Sequence, residues 1–127
     1  MAASLVYKIS PRIAWDAAVA AGTFTGAPVD VTDGFIHFST AEQAAETAAK
    51  HFRGQADLVL VAIDAAALGA DLKWEPSRGG ALFPHLYAPL DIAHARFVID
   101  LPLDADGVPV IPADLANHAQ GGLEDSC

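Results

Sequence analysis

Residues 33–52 read DGFIHFSTAEQAAETAAKHF, and two periodicities meet inside them. FIHF (35–38) has the apolar and aromatic make-up of a short strand. Behind it stand two overlapping capping boxes, Ser39 with Glu42 and Thr40 with Gln43. Each is a hydroxyl followed three residues later by a side chain that can reach back to the cap. Apolar residues then fall at 41, 44, 45, 48, 49 and 52, the spacing of a single helix face. The stretch predicts a strand, then a capped amphipathic helix closed at Arg53-Gly54.

Working outward, LVYKI (5–9) alternates as a short strand. Ser10 and Pro11 suit the N-cap and first position of a helix running through Trp15 to Ala21, with Gly22 ending it. Residues 23–32 read as loop, with Gly26, Pro28 and Asp30 as breakers. DLVLVAI (57–63) is a continuous apolar run suited to a strand buried on both faces. Residues 64–72 suggest a turn or short helix. LKWEPSRGGALFPHLYAPL (72–90) carries too much Pro and Gly for a regular element, yet too many aromatics for a loose loop. ARFVIDLPL (95–103) is a last strand. The order β-α-β-α-β, irregular, β predicts an α+β fold, a twisted and largely antiparallel sheet with two main helices packed on it. No internal repeat or linker is visible. We expect one domain over 4–104 and an acidic Pro- and Gly-containing tail over 105–127, its end QGGLEDSC disordered.

Composition narrows the function. A chain of 127 residues, 53% apolar and 18% charged, can bury a core without staples and is not disordered. No run approaches the roughly 18 to 20 apolar residues of a membrane helix. MAASLVYKISPR lacks the basic leader and long apolar core of a signal peptide. The one cysteine, Cys127, offers neither a disulfide framework nor a thiol zinc site, and a cytoplasmic location is expected. The net charge is −9, from 7 basic and 16 acidic residues. Clustered Lys and Arg for a phosphate backbone are lacking, so nucleic acid and anionic membrane are poor partners. Five of the acids (Asp104, Asp106, Asp114, Glu124, Asp125) lie beyond residue 103, with no Lys or Arg among them. The body is therefore only mildly acidic and could hold a small anionic ligand locally.

Two clusters could carry chemistry. In an alternating strand, His37 shares a face with Phe35 and Ser39. It sits where a strand meets a helix N-terminus, whose free N–H groups bind anions. The bland alternative is a histidine hydrogen-bonded at the core edge, with Ser39 and Thr40 as helix caps. The second cluster is Glu75, Arg78, His85 and Tyr87, an acid, a base and two donor groups in a Pro- and Gly-rich segment, where sites are often built. Its alternative is a surface Glu75–Arg78 ion pair worth under about 1 kcal/mol, with His85 and Tyr87 capping a rigid turn between Pro84 and Pro89. A zinc site from His37, His85 and Glu75 lacks the H-E-x-x-H or short His spacing that would support it, so no metal is expected. There is no G-x-S-x-G, P-loop or G-x-G-x-x-G. His37-Phe38-Ser39 is like one half of a two-histidine phosphoesterase signature, but Leu86-Tyr87 after His85 breaks the second half.

VYKISPRIAWDAA (6–18), FTGAPVDVTDGFIHFSTAEQ (24–43), WEPSRGG (74–80) and LFPHLYAPL (82–90) together closely resemble the bacterial family known as domain of unknown function 952. The resemblance runs from about Val6 to Leu103 and implies an ADP-ribosyltransferase-like fold, a split antiparallel sheet gripping NAD. Members of that superfamily typically use a histidine on an early strand for the NAD ribose, an aromatic residue on nicotinamide and a glutamate promoting glycosidic cleavage. A branch that removes 2′-phosphate from RNA uses basic residues instead. Carried over, the resemblance implies a cofactor-binding set of Lys8, His37, Ser39, Thr40, Arg78, His85 and Tyr87. Glu75 would be the catalytic acid residue stabilising oxocarbenium charge, with His37 holding a ribose hydroxyl. Lys8 stands where similar proteins often have histidine, and ARFVIDL lacks a final-strand glutamate. The expectation is NAD or nucleotide binding with ADP-ribosyl transfer or NAD cleavage, in a monomer or weak dimer. The alternative is a non-catalytic module that binds a small molecule or a protein, and a metal-dependent hydrolase ranks last.

Overall fold

The computed structural model describes residues 5–76, 81–112 and Leu115. β1 (Leu5–Pro11), β4 (Leu58–Asp64) and β8 (Ala95–Leu101) form a sheet in the order β1-β4-β8. β3 (Ile36–His37), β6 (Leu82–Leu86) and β5 (Leu72–Pro76) form a second sheet in the order β3-β6-β5, and β2 (Thr23–Phe24) pairs with β7 (Leu90–Asp91). Every one of these pairings is antiparallel. The α+β expectation therefore holds, with the antiparallel strands divided among three small sheets.

The apolar run at 57–63 is the central strand β4, with no residue from Leu58 to Ile63 more than 1% exposed. Val59, Val61 and Ile63 enter one core, while Leu58, Leu60 and Ala62 enter another. α1 (Arg12–Ala21) packs Trp15 and Ala18 into the first core, and α3 (Ala41–His51) packs Ala44 and Ala48 into the second. The two helices thus cover opposite faces of the β1-β4-β8 sheet. Gly22 ends α1 at φ 87°, its N–H donating to the Ala18 carbonyl, a conformation only glycine takes freely.

Four local expectations need correction. Ser10 is not the N-cap of α1 nor Pro11 its first residue: the β1–β4 ladder continues to Pro11 opposite Leu58, Pro11 takes the N-cap position, and the Ser10 hydroxyl donates to the Pro11 carbonyl at 2.9 Å. Helix α1 starts at Arg12 without a side-chain cap. Residues 23–32 are not merely loop, because β2 and α2 (Pro28–Asp33) lie there. Pro28 opens α2, Asp30 accepts from the Ala27 N–H at 2.7 Å, and Gly34 closes the helix at φ 89°, so two of the supposed breakers, Pro28 and Asp30, are the helix start and its cap. Residues 72–90 contain regular strands, β5 and β6, despite Pro84 in the middle strand of its sheet. Pro84 gives up no acceptor, and its carbonyl takes the Phe38 N–H at 2.9 Å. Last, of the strand expected over 35–38 only Ile36 and His37 pair as β3.

The two larger sheets meet at one bridge. Tyr7 and Ser39 exchange backbone hydrogen bonds at 2.8 Å in each direction. Ser39 is therefore a backbone joint, and the cap of α3 falls to Thr40: its hydroxyl accepts from the Gln43 N–H and the Gln43 side chain accepts from the Thr40 N–H. After β4, α4 (Ala65–Leu68) and a 3-10 turn (Gly69–Asp71) lead into β5. Beyond residue 103, Gly54 donates to the Gly107 carbonyl at 2.6 Å, and Leu115 is buried in the second core. The expected disorder of 120–127 falls outside the described residues. No helix is long and apolar enough to cross a membrane among the described residues.

Candidate functional site

Alternation along β1 sends Val6, Lys8 and Ser10 to the face opposite Tyr7 and Ile9, and all five are buried. A lysine inside such a strand needs a counter-ion. Asp30 of α2 supplies it, with Lys8 Nζ 2.9 Å from Oδ1 and 2.8 Å from Oδ2. The Asp30 side chain is fully buried, and it also accepts from the backbone N–H groups of Ala27 and His37. His37 Nδ1 lies 2.6 Å from Asp30 Oδ1, and His37 Nε2 lies 3.0 Å from Asp33 Oδ2. Burial pushes the Asp30 carboxyl up, but the hydrogen bonds of His37 and the nearby Lys8 ammonium prevail and hold it at about 2. Burial pulls Lys8 below its ordinary range, a fall that Asp30 restrains. The result is a fixed chain, Lys8–Asp30–His37–Asp33, whose middle carboxylate ties β1, α2 and β3 together.

The second group is built on the β5–β6 ladder and its continuation. His85 of β6 pairs directly with His37 of β3. His85 Nδ1 lies 2.8 Å from Glu75 Oε1, and the Tyr87 hydroxyl donates to the same oxygen at 2.7 Å. Those two bonds, Tyr87 first, hold Glu75 below the usual carboxylate range, and the bond to Glu75 in turn raises Tyr87. Phe35 touches all three rings, with centroids 4.6 Å from His37, 4.3 Å from His85 and 5.2 Å from Tyr87. Two histidines from adjacent strands therefore stand side by side, each with Nδ1 anchored on a carboxylate.

A cleft of about 540 Å³ opens where β1, α2, β3, α3 and β6 meet, within the roughly 300–1,000 Å³ typical of small-molecule sites. Tyr7, Phe38, Phe52 and Phe83 supply aromatic wall, and His37, Ser39 and His85 supply polar groups. Of the residues picked out in the sequence, Lys8, His37, Ser39 and His85 line this cleft. Lys8 does so with its ammonium already engaged by Asp30. Ser39 Oγ is 3.1 Å from Thr47 Oγ1. Thr40 is spent on the helix cap, while Glu75 and Tyr87 do not line the cleft and reach it through His85. Arg78 lies outside the described residues. Among the described residues, no group of three or more His, Cys, Asp or Glu is arranged to hold a metal ion.

Sequence reasoning missed Asp30, read only as a loop breaker. The signal was Lys8 itself: a charge in a buried strand demands a carboxylate partner somewhere in the chain. Phe35 was noted as sharing the His37 face, but its contact with His85 and Tyr87 follows from strand pairing that the local sequence does not state.

A family model described as "Protein of unknown function (DUF952)" matches residues 9–98. Among solved structures, the chain is similar to the crystal structure of protein CC0527 from Caulobacter crescentus. The two are 59% identical, with 92% of this chain and 99% of that one covered, at a TM-score of 0.83. The solution NMR structure of CC0527 is 60% identical over 90% of this chain and 95% of that one, at a TM-score of 0.75. No curated protein matches.

Proposed function

This chain belongs to the family of proteins of unknown function designated DUF952, and from that premise we propose that its cleft binds NAD or a related nucleotide within an ADP-ribosyltransferase-like fold. The observation that carries the reading is the pair of carboxylate-anchored histidines on adjacent strands, set in an aromatic-walled cleft of nucleotide-compatible volume. Aromatic walls suit planar rings, and an oriented imidazole engaged at one nitrogen only, as His85 is, suits a ribose hydroxyl, which both donates and accepts. The division between the two larger antiparallel sheets, bridged at Tyr7 and Ser39 with the cleft at the junction, is what supports the fold assignment. Where the ligand is cleaved, Glu75 acts from behind His85, since its carboxylate is engaged by His85 and Tyr87.

One observation favours a second reading, a binding-only module. Lys8 occupies the early-strand position where the family resemblance leads one to expect histidine, and its ammonium is locked onto Asp30. Release of nicotinamide from NAD over a long incubation separates the two, because a binder releases none. The primary test is a ¹H–¹⁵N titration with NAD, ADP-ribose and nicotinamide in turn. Shifts clustered at residues 35–40 and 82–87 are expected, and their distribution identifies the half of the ligand that is gripped. An absence of shifts at millimolar NAD would sink the nucleotide reading.

A further inference from the structure

We infer that His85 is the proton-accepting group of the cleft and Glu75 its positioning residue, an assignment that rests on the glycosidic-cleavage reading above. The two imidazoles stand with centroids 5.5 Å apart at 70°, but they are held differently. His37 is clamped at both nitrogens, by Asp30 at 2.6 Å and Asp33 at 3.0 Å. His85 is held at Nδ1 alone, by Glu75 at 2.8 Å, and no described residue bonds its Nε2. The Glu75 oxygen is fixed in turn by the Tyr87 hydroxyl, and the His85 ring is flanked by Phe35 at 4.3 Å. An ionised carboxylate only accepts hydrogen bonds. The proton of neutral His85 therefore sits on Nδ1, and Nε2 carries the lone pair. With its side chain 8% exposed and lining the cleft, His85 offers that lone pair to an occupant in a largely dry setting.

Such a carboxylate–imidazole unit takes a proton from a nucleophile in the transition state. For an N-ribosyl pyridinium substrate such as NAD the step balances without a further reagent. Water oxygen bonds to the ribose C1′ as the C1′–N bond breaks. The bond's electron pair passes to the pyridinium nitrogen, leaving neutral nicotinamide, and the water proton goes to His85 Nε2. Glu75, through Nδ1–H, stabilises the imidazolium that forms. His37, with both nitrogens engaged by carboxylates, can present only its ring to the ligand and is not the proton acceptor.

The test is nicotinamide release from NAD by the full chain and its H85Q, E75Q and H37Q variants, together with ¹⁵N spectra of the imidazoles of wild type and E75Q. H85Q is expected to lower kcat by about 100-fold or more, the range of a general base, with KM within about threefold. E75Q is expected to lower kcat less and to weaken the Nδ1–H tautomer preference of His85, since an amide can donate to Nδ1 as well as accept from it, a change that a merely structural role would not produce. H37Q is expected to act mainly on KM. An H85Q enzyme within about threefold of wild-type kcat overturns the assignment. Should wild type release no nicotinamide, the cleavage reading fails alone, and the spectrum then decides His85. An Nδ1–H tautomer whose Nε2 resonance moves on adding NAD supports it; an Nε2–H tautomer, or an Nε2 resonance that NAD does not move, overturns it.

Discussion

At the scale of single residues, Asp30 decides more than any other side chain. It accepts from Lys8, His37 and two backbone N–H groups while fully buried. Removing one partner of a buried ion pair strands the other charge, which typically costs about 3–5 kcal/mol. Asp30→Ala is expected to lose about that much in urea unfolding, and adding Lys8→Met should recover part of it because no charge is then left unpaired. The same carboxylate sets an acid limit. Its folded value of about 2 lies below the ordinary 3.8, so its contribution is complete above about pH 4 and disappears as pH falls through 2. The size is about 2 kcal/mol. Unfolding measured from pH 5 down to pH 2 should show that loss in wild type and a shallower slope in Asp30→Asn. Equal slopes would mean that another carboxylate governs the acid limb.

At the scale of elements, legibility followed how local the causes were. The helix at 41–51 was readable because its cap, periodicity and stop all lie within one short stretch. Only the choice between Ser39 and Thr40 needed the structure, since the Ser39 backbone is taken by Tyr7. Thr40→Ala is therefore expected to cost about 1 kcal/mol in thermal or urea unfolding, the usual loss of an N-cap, while Glu42→Ala leaves the cap intact. A larger loss from Glu42→Ala would move the box back to Ser39. Strand β4 was readable because an unbroken apolar run needs cover on both faces, and Leu60→Ala should cost about 2–5 kcal/mol as a core truncation. β5 and β6 were hidden by a sound rule met at its exception. Proline is rare in a middle strand because it donates nothing, but Pro84 contributes its carbonyl to Phe38 instead. The candidate site divides in the same way. His37 and His85 stood out as polar groups in apolar settings, but their pairing rests on the β3–β6 register, and Asp30 is 22 residues from Lys8 in the chain.

At the scale of the whole molecule, the cleft draws its walls from both larger sheets and from helices α2 and α3, while a two-bond bridge between Tyr7 and Ser39 joins the sheets beside it. A ligand seated there contacts several elements of the fold at once, so binding should register as global stability. A ligand that binds only the folded state stabilises it by RT ln(1 + [L]/Kd), about 2.7 kcal/mol at one hundred times Kd. For a chain of 127 residues that corresponds to a rise in Tm of roughly 10 °C. We expect NAD to raise Tm in this concentration-dependent way. His37→Gln should lose most of the shift, because the ring clamped between Asp30 and Asp33 is a fixed wall of the cleft. Glu75→Gln should keep most of it, because that carboxylate lies behind His85 and outside the cleft. A shift that Glu75→Gln abolishes and His37→Gln leaves intact would relocate the ligand to the open face around Phe35 and Tyr87. No shift at any NAD concentration, in a protein whose melting is otherwise reversible, would leave the cleft to a ligand of different chemistry.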